Sequence, residues 1–60
     1  MGPADREIYV EFVAIGNSVK VTAIDPTTGA EASVICPVNT PQSAMTNAAR
    51  RKLEYVLRKT

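Results

Sequence analysis

The sequence predicts an α+β fold, a three-stranded antiparallel β-meander in the order 1-2-3 packed on one C-terminal amphipathic helix (βββα). Three observations carry the prediction. Apolar residues recur with period two from Glu7 to Ile15 and from Ser18 to Ile24. Turn chemistry at Gly16-Asn17 and at Asp25-Pro26-Thr27-Thr28-Gly29 separates the strand-like runs. After Thr40-Pro41 the apolar period changes to that of a helix.

The first strand is expected over Glu7 to Ile15, with Ile8, Val10, Phe12 and Ala14 on one side and Glu7, Tyr9, Glu11, Val13 and Ile15 on the other. Gly16-Asn17 then forms a two-residue hairpin loop with Gly first, the preference of a type II′ turn, and the second strand runs from Ser18 to Ile24. Closing the loop between Ile15 and Ser18 sets Ala14 opposite Val19, Phe12 opposite Val21 and Val10 opposite Ala23. These pairs share one apolar face, and a one-residue slip would separate them.

In the next turn Pro26 brings its fixed φ to the start and Gly29 its tolerance of positive φ to the end. The four-residue loop it implies puts Ala23 opposite Ala32, Val21 opposite Val34 and Val19 opposite Cys36, continuing the same face into a third strand of about Ala30 to Cys36. Pro37 ends that strand, since it has no N–H for the ladder.

Thr40 and Pro41 read as N-cap and first position of a helix that runs from Pro41 to about Lys59. Met45, Ala49, Leu53, Val56 and Leu57 fall on one arc of its wheel, Arg50, Glu54 and Arg58 lie opposite, and Lys52 and Lys59 stand at the border. Folded back across the even-numbered face of the first strand, the helix completes two layers. Residues 1–5 are expected as a flexible tail and residues 6–60 as a single domain.

A 60-residue chain buries only about 60% of the surface its unfolded form exposes, so its core is thin and a staple is expected. Cys36 is the single cysteine, which excludes an internal disulfide and suits a reducing, cytoplasmic setting. With no histidine, the common zinc and copper patterns are excluded too. Self-association remains. Neither a membrane-spanning apolar run nor the basic and apolar regions of a signal peptide occur, and the net charge of +1 gives no overall bias toward nucleic acid.

Chemistry-bearing patterns are sparse. Cys36 has no histidine to activate it and points inward by register. Asp5, Glu7, Glu11, Asp25, Glu31 and Glu54 scatter over a tail, an outer face, two turns and a helix back, without the concave site that paired-carboxylate catalysis requires. No Gly-rich phosphate cradle is present. The chain is accordingly read as no enzyme, without catalytic residues, cofactor or metal.

The sheet face opposite the helix offers apolar area instead. Tyr9, Val13, Ile15, Ile24 and Ile35 lie on the side that a single helix leaves open, and an exposed patch of this kind marks a contact surface. The expected function is a small intracellular interaction or accessory module, self-associating through this face, with a dimer as the first expectation and another protein as the other partner. The alternative is weak nucleic-acid binding by the basic helix through Arg50, Arg51 and Arg58. Readout by the sheet face itself is disfavoured, because Glu11 and Glu31 accompany Lys20 there.

The stretches Arg6 to Val13, Gly16 to Val21, Asp25 to Gly29 and Arg51 to Leu57 resemble a family of short bacterial proteins of unknown function, some of them mislabelled serine hydroxymethyltransferase. A pyridoxal-phosphate enzyme needs a Schiff-base lysine within a large cofactor fold, which a chain of this length does not build. The resemblance therefore implies a shared small fold, spanning about Arg6 to Lys59, and no catalytic residue.

Overall fold

Among the described residues Gly16 and Gly29, at φ of 57° and 79°, are the positions where the chain turns left-handed, and each closes a hairpin. The computed structural model describes residues 7–59; the expected tail over 1–5 lies outside them. Strand β1 (Tyr9–Ile15) leads through Gly16-Asn17 into β2 (Ser18–Ile24), and β2 leads through the Asp25 loop into β3 (Glu31–Pro37). The helix α1 covers Gln42–Lys59. Asn17 keeps a negative φ behind the positive φ of Gly16, as a type II′ turn requires.

The sheet has the order β1-β2-β3, antiparallel throughout. Its register is the expected one at every pair: Ala14 faces Val19, Phe12 faces Val21 and Val10 faces Ala23, while Ala23 faces Ala32, Val21 faces Val34 and Val19 faces Cys36. The Asp25 loop is tied at both ends. Asp25 N–H donates to the Ala30 carbonyl at 2.9 Å, and Gly29 N–H donates to the Asp25 carbonyl at 2.8 Å.

Element ends differ from expectation by one or two residues, each for a local reason. β1 begins at Tyr9, not Glu7, because its partner strand stops at Ile24 and Asp25 turns toward Ala30. β3 runs from Glu31 through Pro37, which sits opposite Ser18. That pair is not hydrogen-bonded, because the Asn17 carbonyl accepts from Val38 N–H in the next pair along, so the missing N–H of Pro37 falls on the outer edge. The helix starts at Gln42, one residue after the expected Pro41, whose carbonyl accepts from Met45 N–H at 3.1 Å and opens the helical ladder.

The core lies between one sheet face and one helix face. Val19, Val21, Ala23, Ala32 and Cys36 from the sheet meet Met45, Ala49 and Leu53 from α1. Val56 and Leu57 pack at its margin, completing the expected arc. Cys36 is buried and free, as its register position implied.

One expectation fails. The helix does not cross the even-numbered face of β1; it packs on β3 and β2. The connection from Pro37 to Gln42 is short and sets α1 down beside the strand it has just left. A helix about 10 Å across spans roughly two strands at about 4.8 Å spacing, and β1 is the third. Phe12, paired to the fully buried Val21, therefore remains 39% exposed, and Ala14 is exposed as well.

Candidate interaction surface

Pleating places the odd-numbered residues of β1 and β3 and the even-numbered residues of β2 on the side away from α1. Across the strands this face reads in rows: Tyr9, Ile24, Glu31; then Glu11, Thr22, Ser33; then Val13, Lys20, Ile35; then Ile15, Ser18, Pro37. Every residue expected on it, Tyr9, Val13, Ile15, Ile24 and Ile35, is there. Tyr9, Val13, Ile15 and Ile35 are 53%, 50%, 53% and 62% exposed. Ile24 is half-buried, flanked on the central strand by Tyr9 and Glu31.

The polar positions of the face are organised. Thr22 Oγ1 and Ser33 Oγ share a hydrogen bond of 2.8 Å in the second row. The Tyr9 hydroxyl donates to Glu7 Oε1 over a long 3.5 Å. Glu11 and Glu31 stand on the two outer strands and Lys20 on the central one, so both signs of charge are present on one face.

On the helix, Arg50, Arg51 and Arg58 are exposed, as expected. Glu54 follows Arg50 by four residues and precedes Arg58 by four, which puts a carboxylate in the middle of the cationic stripe. Two further cations are engaged elsewhere. Lys52 Nζ donates to the Ser33 carbonyl at 2.7 Å, and Lys59 Nζ sits 5.4 Å from the Tyr55 ring centroid, a cation–π distance.

Two features escaped the sequence reading. Asp25, although a turn residue, is 1% exposed. Its Oδ1 accepts from Thr27 N–H at 2.9 Å, the Asx turn that an Asp-Pro-Thr start signals. Phe12 was assigned to the core, and its exposure follows only from where the helix lands. Among the described residues no group of three His, Cys, Asp or Glu side chains is placed to hold a metal ion, and no helix is long and apolar enough to cross a membrane.

Comparison with known proteins places the chain in a family and gives it no activity. Residues 5–60 match a family described as a domain of unknown function (DUF6898), and the chain belongs to it. No curated protein matches the chain. No solved structure matches it either.

Proposed function

We propose that this chain is a small protein-interaction module, acting by contact and not by catalysis, and that the sheet face away from α1 associates with the same face of a second copy. The observation that carries the reading is the half or greater exposure of Tyr9, Val13, Ile15 and Ile35 on that one side. Single exposed apolar residues are ordinary on a protein surface, but Val13 and Ile35 share one row, Ile15 stands in the next and Tyr9 lies on the same face beyond the Glu11–Thr22–Ser33 row, where a facing sheet would bury them together. The thin core adds a motive, since a domain of this size gains stability from any partner that binds only the folded form.

The charges support a copy of the same chain as the partner. Lys20 lies on the central strand and the carboxylates Glu11 and Glu31 on the flanking ones. A twofold-related copy can then offer acid to base and base to acid, as a self-complementary surface must. A reducing, cytoplasmic compartment suits the buried free thiol of Cys36.

Light scattering coupled to gel filtration, over a wide concentration range, tests the reading on the unaltered chain and on Ile35→Glu. Ile35 lies on the strand farthest from β1 and outside the core, so the substitution leaves the fold intact; it replaces the most exposed apolar side chain of the face with a carboxylate that, standing opposite Lys20, also draws that cation away from the contact. The expected result is a lower mass for the variant at concentrations where the unaltered chain associates. Identical masses for both at every concentration would refute it.

A further inference from the structure

We infer that two copies also join edge to edge along β1, antiparallel and with Phe12 against Phe12 on the twofold axis, forming one six-stranded sheet in the order β3-β2-β1-β1-β2-β3. This contact is separate from the sheet-face contact proposed above and rests on the hydrogen-bond register.

In an antiparallel ladder the backbone groups of successive residues point alternately to one side of the strand and the other. On β2 the direction is fixed at both ends: Asp25 N–H donates to the Ala30 carbonyl, and the Asn17 carbonyl accepts from Val38 N–H. Val19, Val21 and Ala23 therefore bond toward β3, while Ser18, Lys20, Thr22 and Ile24 bond toward β1. Their partners on β1 are Ile15, Val13, Glu11 and Tyr9. The N–H and C=O groups of Val10, Phe12 and Ala14 consequently point away from the sheet, on an outer strand.

The two edges are treated unequally. On β3 the outward groups belong to Glu31, Ser33 and Ile35; the Ser33 carbonyl accepts from Lys52, and Pro37 closes the strand without an N–H. A charged lysine laid across an edge and a proline at its end are devices that prevent strand addition. β1 has neither. It contains no lysine, arginine or proline, and its middle residue is an aromatic one that α1 leaves 39% exposed.

The sequence of β1 is also complementary to itself. With the axis at Phe12, the centre of the strand, all seven residues find partners: Tyr9 meets Ile15 and Glu11 meets Val13 on the open face, and Val10 meets Ala14 on the helix face. The outward groups of Val10, Phe12 and Ala14 fall opposite one another as hydrogen-bonded pairs, and the two Phe12 rings become cross-strand neighbours over the ground that α1 does not cover. Moving the axis one residue back sets Glu11 against Glu11 at the closer, non-hydrogen-bonded spacing. One residue forward pushes Tyr9 past the end of the strand. In the Phe12 register each Glu11 shares a row with Lys20 of the other copy, about 10 Å away across Val13 and with opposite sign.

The experiment is run on Ile35→Glu, in which the sheet-face contact is removed, so the two proposals fail separately. Backbone amide exchange is followed by NMR from dilute to concentrated solution. The amides of Val10, Phe12 and Ala14 are expected to slow by roughly threefold for each tenfold rise in concentration, because the monomer fraction of a dimer falls as the square root of concentration. The amides of Glu11 and Val13, bonded within the chain, stay protected throughout. An isotope-filtered spectrum should show a contact between the α-protons of Glu11 and Val13 of different copies, which one extended strand cannot produce internally. Added to the Ile35→Glu background, Ala14→Pro deletes an outward N–H at an exposed position and should give a monomer with an unchanged fold. The proposal is overturned if those three amides exchange at a concentration-independent rate, or if the intermolecular contact links other residues. Either result leaves the sheet-face reading standing.

Discussion

The ammonium of Lys52 donates to the carbonyl oxygen of Ser33 at 2.7 Å, which ties the third turn of α1 to the outer edge of β3. Lys52 stands at the border of the helix wheel, where a long aliphatic stem runs along apolar surface and leaves the charge free to reach a backbone acceptor. Lys52→Met keeps most of that stem and removes the donor. The bond is exposed, so the expected loss is at most about 1 kcal/mol in urea denaturation. The larger expected change is in solubility, since the Ser33 carbonyl becomes available to a passing strand. A variant that neither loses stability nor associates more than the unaltered chain, by light scattering, would show that the contact has no role.

Leu53 and Phe12 predict opposite outcomes for truncation of a large apolar side chain. Leu53 is 1% exposed between α1 and the sheet, and Leu53→Ala is expected to cost about 2–5 kcal/mol. That is comparable to the whole stability of a 60-residue domain, roughly 3–9 kcal/mol, so the variant should be largely unfolded at room temperature. Phe12→Ala removes more carbon from a site that the helix leaves open, and under dilute, monomeric conditions it should cost less than about 2 kcal/mol. Thermal melts followed by circular dichroism rank the two. Equal destabilisation would mean that the helix covers β1 after all.

That contrast marks how far the sequence could be read. The register of the sheet was legible because the turns at Gly16 and Asp25 each fix a loop length, and both loops put the same apolar residues on one face. The open face follows from parity alone, which puts Tyr9, Val13, Ile15, Ile24 and Ile35 on one side of the sheet. A helical wheel shows which side of α1 is apolar and says nothing of which strands lie beneath it. That depends on the short path from Pro37 to Gln42, and the exposure of Phe12 depends on it in turn. Asp25 is a different case: its Asx turn to Thr27 N–H is local and is signalled by Asp-Pro-Thr, whereas its 1% exposure is not carried by the turn pattern.

Gly16 separates backbone strain from steric crowding. No heavy atom lies within 4 Å of where its Cβ would stand, yet its φ of 57° is one that L-residues avoid. Gly16→Ala should therefore destabilise by about 1–2 kcal/mol with no change in packing. Chemical denaturation measures the loss, and unshifted methyl resonances of Val19 and Ala14 would show that the core and the register persist. No loss of stability would mean that the loop has another low-energy conformation, which would weaken the type II′ assignment and with it the fixed register of β1 on β2.

The exposed arginines Arg50, Arg51 and Arg58 define the last prediction. If they formed a nucleic-acid surface, three phosphate contacts would make log K fall with log salt at a slope near 3, with most affinity gone at physiological ionic strength. The stripe is poorly arranged for this: Glu54 stands four residues from both Arg50 and Arg58, Lys52 is engaged with Ser33, and Lys59 lies over Tyr55. Fluorescence anisotropy with single- and double-stranded oligonucleotides at about 0.15 M salt is expected to show no binding. At low salt any signal should be weak, because Glu54 stands among the arginines and lowers the local positive charge. Tight binding that disappears when all three arginines become alanine would reverse this, and would move the working surface from the sheet to the back of the helix.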